Sequence, residues 1–154
     1  KTTDSLAVSF FSEILAVDQL ARSALARVLP RGMELSQFSV LNHLVHVGGE
    51  RSPAQLARTF HLTRGAMTNT LGRLEWAGWV HIRPDWDDAR RKMVAISPAG
   101  VAARDAAVAA ILPVIGDVVG QIGAERVRSA LPVLRELRIR LMAQEDQGRK
   151  DAVT

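Results

Sequence analysis

Cysteine is absent from this 154-residue chain, which removes disulfide frameworks, thiolate zinc sites and thiol redox switches together. There is no run of eighteen or more uncharged apolar residues and no basic stretch leading into an apolar one at the start. Neither a membrane span nor a signal peptide is therefore expected, and the default location is the cytoplasm. The signatures of catalysis are missing as well: no Gly-x-Ser-x-Gly elbow, no phosphate-binding loop, no His-Glu-x-x-His helix and no convergent carboxylate, Ser-His or Cys-His set. An enzyme is not expected. Asp85, Asp87 and Asp88 begin like a calcium loop, but Arg90 stands where glycine is needed and no glutamate closes it. His43 and His46 are one helical turn apart without a clear third ligand, and His61 and His81 have no partner visible in sequence. No metal or cofactor is expected.

What remains is an apolar fraction of 47%, ample for burial, and a net charge of +4 that is unevenly spread. Residues 31–92 hold nine Lys/Arg against six Asp/Glu, whereas residues 1–30 carry three of each and residues 93–154 carry eight against seven. A basic centre between balanced flanks points to an anionic partner met by the middle of the chain.

Apolar spacing predicts the elements. Phe10, Ile14, Val17, Ala21, Ala24 and Val28 share one face of a first helix that Pro30 and Gly32 stop. A second helix is expected after Ser36 as cap, with Phe38, Leu41, Leu44 and Val45 inward, ending at Gly48 and Gly49. Ser52-Pro53 opens a short third helix reaching about Phe60, because the hydroxyl can accept an orphan amide while proline needs no donor there. After His61 and Leu62, Thr63 caps a fourth helix with Met67, Leu71 and Leu74 inward, ending at Ala77 and Gly78. So tight a join predicts a helix-turn-helix. Trp79–Arg83 and Lys92–Ile96 read as two strands of a hairpin with a charged tip.

Ser97-Pro98 repeats the cap-plus-proline start and opens a long Ala-rich helix, in which Pro113 is expected to act as a kink. The last helix follows Gly123, with Pro132 as a second kink and residues 147–154 frayed. The expected fold is mainly α with a small β-hairpin wing. A winged helix-turn-helix lobe occupies residues 31–97, and a helical dimerisation lobe is built from residues 1–30 and 98–146. The first helix and the last two are apolar over faces wider than a small winged helix can cover, so a second copy is the expected partner, an intramolecular bundle being the alternative.

The order of elements resembles the MarR family of bacterial regulators, and so does the wing. Asp88, Ala89 and Arg90, followed by Val94, Ile96, Ser97 and Gly100, match that family's Asp-x-Arg pair, alternating strand and Ser/Thr-x-x-Gly helix start. Leu74, Glu75, Trp76, Ala77, Gly78, Trp79 and Val80 resemble its recognition-helix exit. Gly65, Gly72 and Trp86 depart from the pattern. The resemblance implies a homodimeric transcription regulator, most often a repressor, that binds an inverted repeat in double-stranded DNA. It also implies control by a small molecule, often an aromatic or phenolic acid, held between the dimer helices and the winged helix. Phe10, Phe11, Met33 and Phe38 could line such a cleft or simply pack a core. A winged-helix module that binds protein rather than DNA is the rival reading.

Candidate DNA contacts follow from chemistry. On the fourth helix Arg64, Gly65, Thr68, Asn69 and Arg73 lie away from the inward residues. Arginine can be bidentate to guanine and asparagine to adenine, threonine can meet a thymine methyl or a phosphate, and Gly65 permits close backbone approach. On the wing, Arg90 can reach a minor groove or backbone with Asp88 holding its guanidinium, while Arg91 and Lys92 add phosphate affinity. The helix starts at Ser36 and Ser52 could also offer amides to phosphates, although both serines are equally well explained as plain caps, and Thr63 at the start of the fourth helix completes the candidate set.

Overall fold

The computed structural model describes residues 2–154 and contains six helices and one two-stranded antiparallel sheet among them. Helix α1 spans Thr2–Val28, with Asp4 in its first turn and Arg27 in its last, both favourable to the helix dipole. None of its residues is buried.

Helix α2 spans Leu35–Val47, and its N-cap is Glu34, not Ser36. The backbone N–H of Glu34 donates to Gln37 Oε1 at 2.7 Å, so the reciprocal cap forms two residues upstream of the expected one and Ser36 falls inside the first turn. The helix ends at Gly48, whose φ of 66° is the left-handed conformation that glycine adopts without cost. Helix α3, Pro53–Thr59, has the expected cap: Ser52 Oγ accepts from the Gln55 N–H at 3.2 Å, and Gln55 Oε1 accepts from the Ser52 N–H at 2.8 Å. Helix α4, Arg64–Trp76, is capped by Thr63, whose hydroxyl accepts from Ala66 N–H at 3.1 Å. The helix-turn-helix join is closed by Leu62 N–H donating to Ala57 O at 2.9 Å.

Strand β1 is Val80–Pro84 and β2 is Lys92–Ile96, paired from Val80↔Ile96 to Pro84↔Lys92. Trp79 stays out of β1 because its N–H still returns to Leu74 O at 3.0 Å in the exit of α4. On its other side β2 is bridged by Arg51, which exchanges backbone hydrogen bonds with Val94 at 3.0 and 2.8 Å. That bridge fixes the start of α3 against the wing.

Helix α5 spans Pro98–Ile122. Ser97 Oγ donates to Gly78 O at 2.6 Å and accepts from Gly100 N–H at 3.0 Å, so one hydroxyl ties the α5 start to the α4 exit. Gly100 is required by packing, since a Cβ there would lie 2.0 Å from Trp79 O. Pro113 sits inside the helix without ending it. By length and composition α5 is apolar enough to cross a membrane, with a mean hydropathy of 1.6 over its best window, although Arg104, Asp105 and Asp117 interrupt any uncharged run of eighteen. Helix α6 spans Ala124–Val153 and passes through Pro132. The expected fraying from residue 147 is not observed, and Gln147 Nε2 donating to Asp151 Oδ1 at 2.9 Å is one of the i,i+4 links that continue the helix.

The chain divides into two compact units, Lys1–Leu112 and Pro113–Thr154. The core belongs to the first: Val40, Leu41, Leu44, Leu56, Met67, Leu71, Leu74, Val80, Val94 and Ala107 form one cluster. Nearly all of it lies within α2, the helix-turn-helix and the hairpin, so these elements hold their relative geometry through shared burial.

Candidate nucleic-acid interface

Between α3, α4 and the wing lies an open cleft of about 520 Å³, lined by Ser52, Pro53, Ala54, Arg58, Arg64, Thr68, Arg90, Arg91 and Lys92. Five of these side chains are cationic and none is acidic. Caps and packing position them. Ser52 and Pro53 start α3; Arg64 and Thr68 stand one turn apart on α4 beside the inward Met67 and Leu71; Arg90, Arg91 and Lys92 lead from the hairpin tip into β2.

The tip itself is prearranged. Asp85 N–H donates to Arg91 O at 2.9 Å, Arg91 N–H to Asp88 O at 2.9 Å, and Asp87 N–H to Asp85 Oδ1 at 3.1 Å. Asp88 Oδ1 accepts from both the backbone N–H and the Nε of Arg90, each at 3.1 Å. The hydrogen bond from the Arg90 side chain, then that from its backbone, hold the Asp88 carboxyl below the ordinary aspartate range; desolvation opposes them, and the Arg91 charge adds a lesser lowering. Arg90 remains 92% exposed, so its guanidinium is oriented without being consumed.

The cleft gathers six of the sequence-derived candidates: Ser52, Arg64, Thr68, Arg90, Arg91 and Lys92. Gly65 and Asn69 are exposed on α4 outside the cleft lining, with open space where a Gly65 Cβ would stand. Thr63 is occupied as the α4 cap. Arg73 is engaged elsewhere, its Nη1 2.5 Å from Glu34 Oε2 at the start of α2. Ser36 is a half-buried helical residue rather than a cap.

Sequence reading missed Arg58, which α3 carries into the cleft. Its only advance signal was a basic, outward position on the first helix of the helix-turn-helix.

A second hollow of about 440 Å³ is lined by Phe38, Ser39, Asn42, His43, His46 and Phe60. His43 meets the Phe60 ring edge-on at 5.5 Å, and burial, followed by Arg51 and His46, lowers its pKa from the ordinary histidine value. Of the four residues considered for a ligand cleft, only Phe38 lines it. Met33 lies in the core, while Phe10 and Phe11 pack against each other on α1. Among the described residues no cluster of three or more His, Cys, Asp or Glu is arranged to hold a metal.

Residues 31–91 match the family model of the MarR family. Comparison with curated proteins gives no match. Among solved structures, the transcriptional regulator BldR from Sulfolobus solfataricus is 21% identical with a TM-score of 0.82, covering 91% of this chain and 99% of its own. A mutant MarR from E. coli in complex with operator DNA is 22% identical with a TM-score of 0.74, over 85% and 94% of the two chains. The organohalide-sensing regulator RdhR-CbdbA1625, in its 2,4-dichlorophenol-bound form, is 21% identical with a TM-score of 0.75, over 89% and 82%. The fold is the winged-helix fold that these transcription regulators share. The match to the MarR family covers segment 31–91, and with it the helix-turn-helix and most of the wing.

Proposed function

We propose that this protein is a homodimeric repressor that binds an inverted-repeat operator and releases it in response to a small molecule. The observation that carries the reading is the cleft between α3, α4 and the wing, with five cations and no carboxylate in its lining. A recognition helix fits the major groove, and its first turns then present side chains to base edges. Arg64 and Asn69 would read bases from α4. Ser52, Arg58, Arg91 and Lys92 would meet phosphates, and Arg90 would enter a narrow minor groove or meet the backbone. The DNA complex of the E. coli relative supports the partner, and the dichlorophenol form of RdhR supports effector control.

Two copies are required to cover the apolar surface. Leu6, Val8, Leu15, Val17 and Leu20 on α1 are exposed, as are Leu131, Leu134, Leu141 and Met142 on α6. Residues 1–30 and 98–146 form the dimerisation lobe on this reading and 31–97 the DNA-binding lobe, in a cytoplasmic protein. Selection of bound duplexes from a random pool, followed by footprinting, tests it. Enrichment of a two-fold symmetric site with half-sites about one helical turn apart is expected. A pool that never enriches, alongside capture of a protein ligand lost on neutralising Arg90 and Arg91, would favour a protein-binding module instead.

A further inference from the structure

The wing tip carries a large apolar side chain that the cationic cleft does not use. Trp86 is 82% exposed at the turn of the hairpin. Its ring is nonetheless held in place, because the Arg83 guanidinium stacks over it at 4.7 Å from the centroid. Arg83 is fixed in turn by Glu50 Oε1, 2.7 Å from Nη2, and by its own Nη1 donating to Pro84 O at 2.8 Å. Glu50 directly precedes Arg51, whose backbone bridges to β2, so the support for the indole is anchored to the same frame as the start of α3. Of the nearby acids, Asp85 turns its Oδ1 back to the Asp87 N–H and Asp88 is committed to Arg90, while Asp87 is engaged through its backbone N–H.

We propose that Trp86 is a specificity-determining DNA contact, inserted edge-on into the minor groove beside Arg90, where its indole N–H selects A·T over G·C pairs. This rests on the DNA-binding reading above. Three features carry it: a rigid hairpin tip, an indole supported on one face and free on its other face and edge, and donor chemistry. Indole Nε1–H is a donor with no acceptor capacity. The minor groove offers only acceptors at A·T pairs, adenine N3 and thymine O2, whereas G·C adds the guanine amino donor, which would oppose the indole. The groove, about 6 Å wide, admits a ring edge but not a helix. Stacking on Arg83 keeps the ring from collapsing onto the wing when it is out of DNA, so little ordering is needed on binding.

The test compares wild type, Trp86→Phe and Trp86→Ala on the selected duplex and on a version with A·T replaced by G·C at the wing-facing positions. Binding is followed by anisotropy across a salt series, and by the DNA-induced change in tryptophan fluorescence. Wild type should prefer the A·T duplex. Trp86→Phe should keep its affinity for the G·C version and lose about two- to tenfold of the preference, the value of one hydrogen bond. Trp86→Ala should lose the preference and weaken binding to both duplexes, with unchanged salt slope. The part of the fluorescence change that is absent from Trp86→Phe reports the indole itself, and it should be present on the A·T duplex. An unaltered A·T preference in both variants, with wild type binding normally, overturns the Trp86 assignment and leaves DNA binding standing. A reduced salt slope in Trp86→Ala would also overturn it, since the ring would then be only a prop for Arg90. Failure of wild type to bind any selected duplex overturns the DNA-binding reading together with this one.

Discussion

Replacing Arg90 with alanine probes whether the wing is a phosphate or groove contact, and the structure supplies the numbers. Five cations line the cleft, Arg58, Arg64, Arg90, Arg91 and Lys92, hence ten in a dimer. If each displaces one counterion, log K falls against log salt with a slope of about −9, so raising salt fourfold from about 50 to 200 mM costs roughly 10⁵ in affinity. Arg90→Ala removes two of the ten, and the slope should fall in magnitude by about 1.8. The gap between wild type and variant should accordingly narrow about twelvefold over that range. Because Asp88 Oδ1 holds both the backbone and the side chain of Arg90, Asp88→Ala should show part of the same loss. The double variant should be little worse than Arg90→Ala, because the two substitutions interrupt one contact. Anisotropy titration of a labelled duplex at five salt concentrations, on selected and scrambled sequences, measures all of this. An Arg90→Ala slope equal to that of wild type would refute the assignment of the wing to DNA.

Asn69→Ala should leave the salt slope unchanged and relax discrimination at one base position by about 1–3 kcal/mol, read from binding to single-base variants of the site. Gly100→Ala should destabilise the fold by about 1–3 kcal/mol or more, since its Cβ would stand 2.0 Å from Trp79 O and 2.8 Å from Ile96 Cγ1; a Tm equal to wild type would show that the α5 start can shift freely. His43 has its pKa lowered by burial, Arg51 and His46, so the folded state binds fewer protons than the unfolded state below the ordinary histidine value. Stability should thus be full above about pH 6.5 and decline as pH falls from there through the lowered folded pKa, and His43→Gln should flatten that decline in denaturant melts. Light scattering at micromolar concentration should give the mass of a dimer, and a monomer mass would leave the exposed faces of α1 and α6 unexplained.

What the sequence determined by itself is what four or five residues can decide among themselves. Ser52-Pro53 with Gln55, Thr63 with Ala66, and Asp88 with Arg90 all form their bonds within three residues. Their geometry is set by helix and turn periodicity, which spacing reveals. The helix-turn-helix, strand β2, the start of α5 and the holding of Arg90 were legible for that reason. At α2 two local solutions competed, and Glu34 prevailed over Ser36 because Gln37 could return its bond. The tertiary structure decided whatever joins distant positions. It brought Arg58 into the cleft and turned Arg73 to Glu34, thirty-nine residues away. It also supported Trp86 on Arg83 and Glu50, thirty-three residues apart, and brought Phe38 and Met33 to one core cluster while leaving Phe10 against Phe11 on α1. Periodicity shows that a side chain faces outward, but which neighbour it then meets depends on how buried faces pack, and that packing is a property of the whole core.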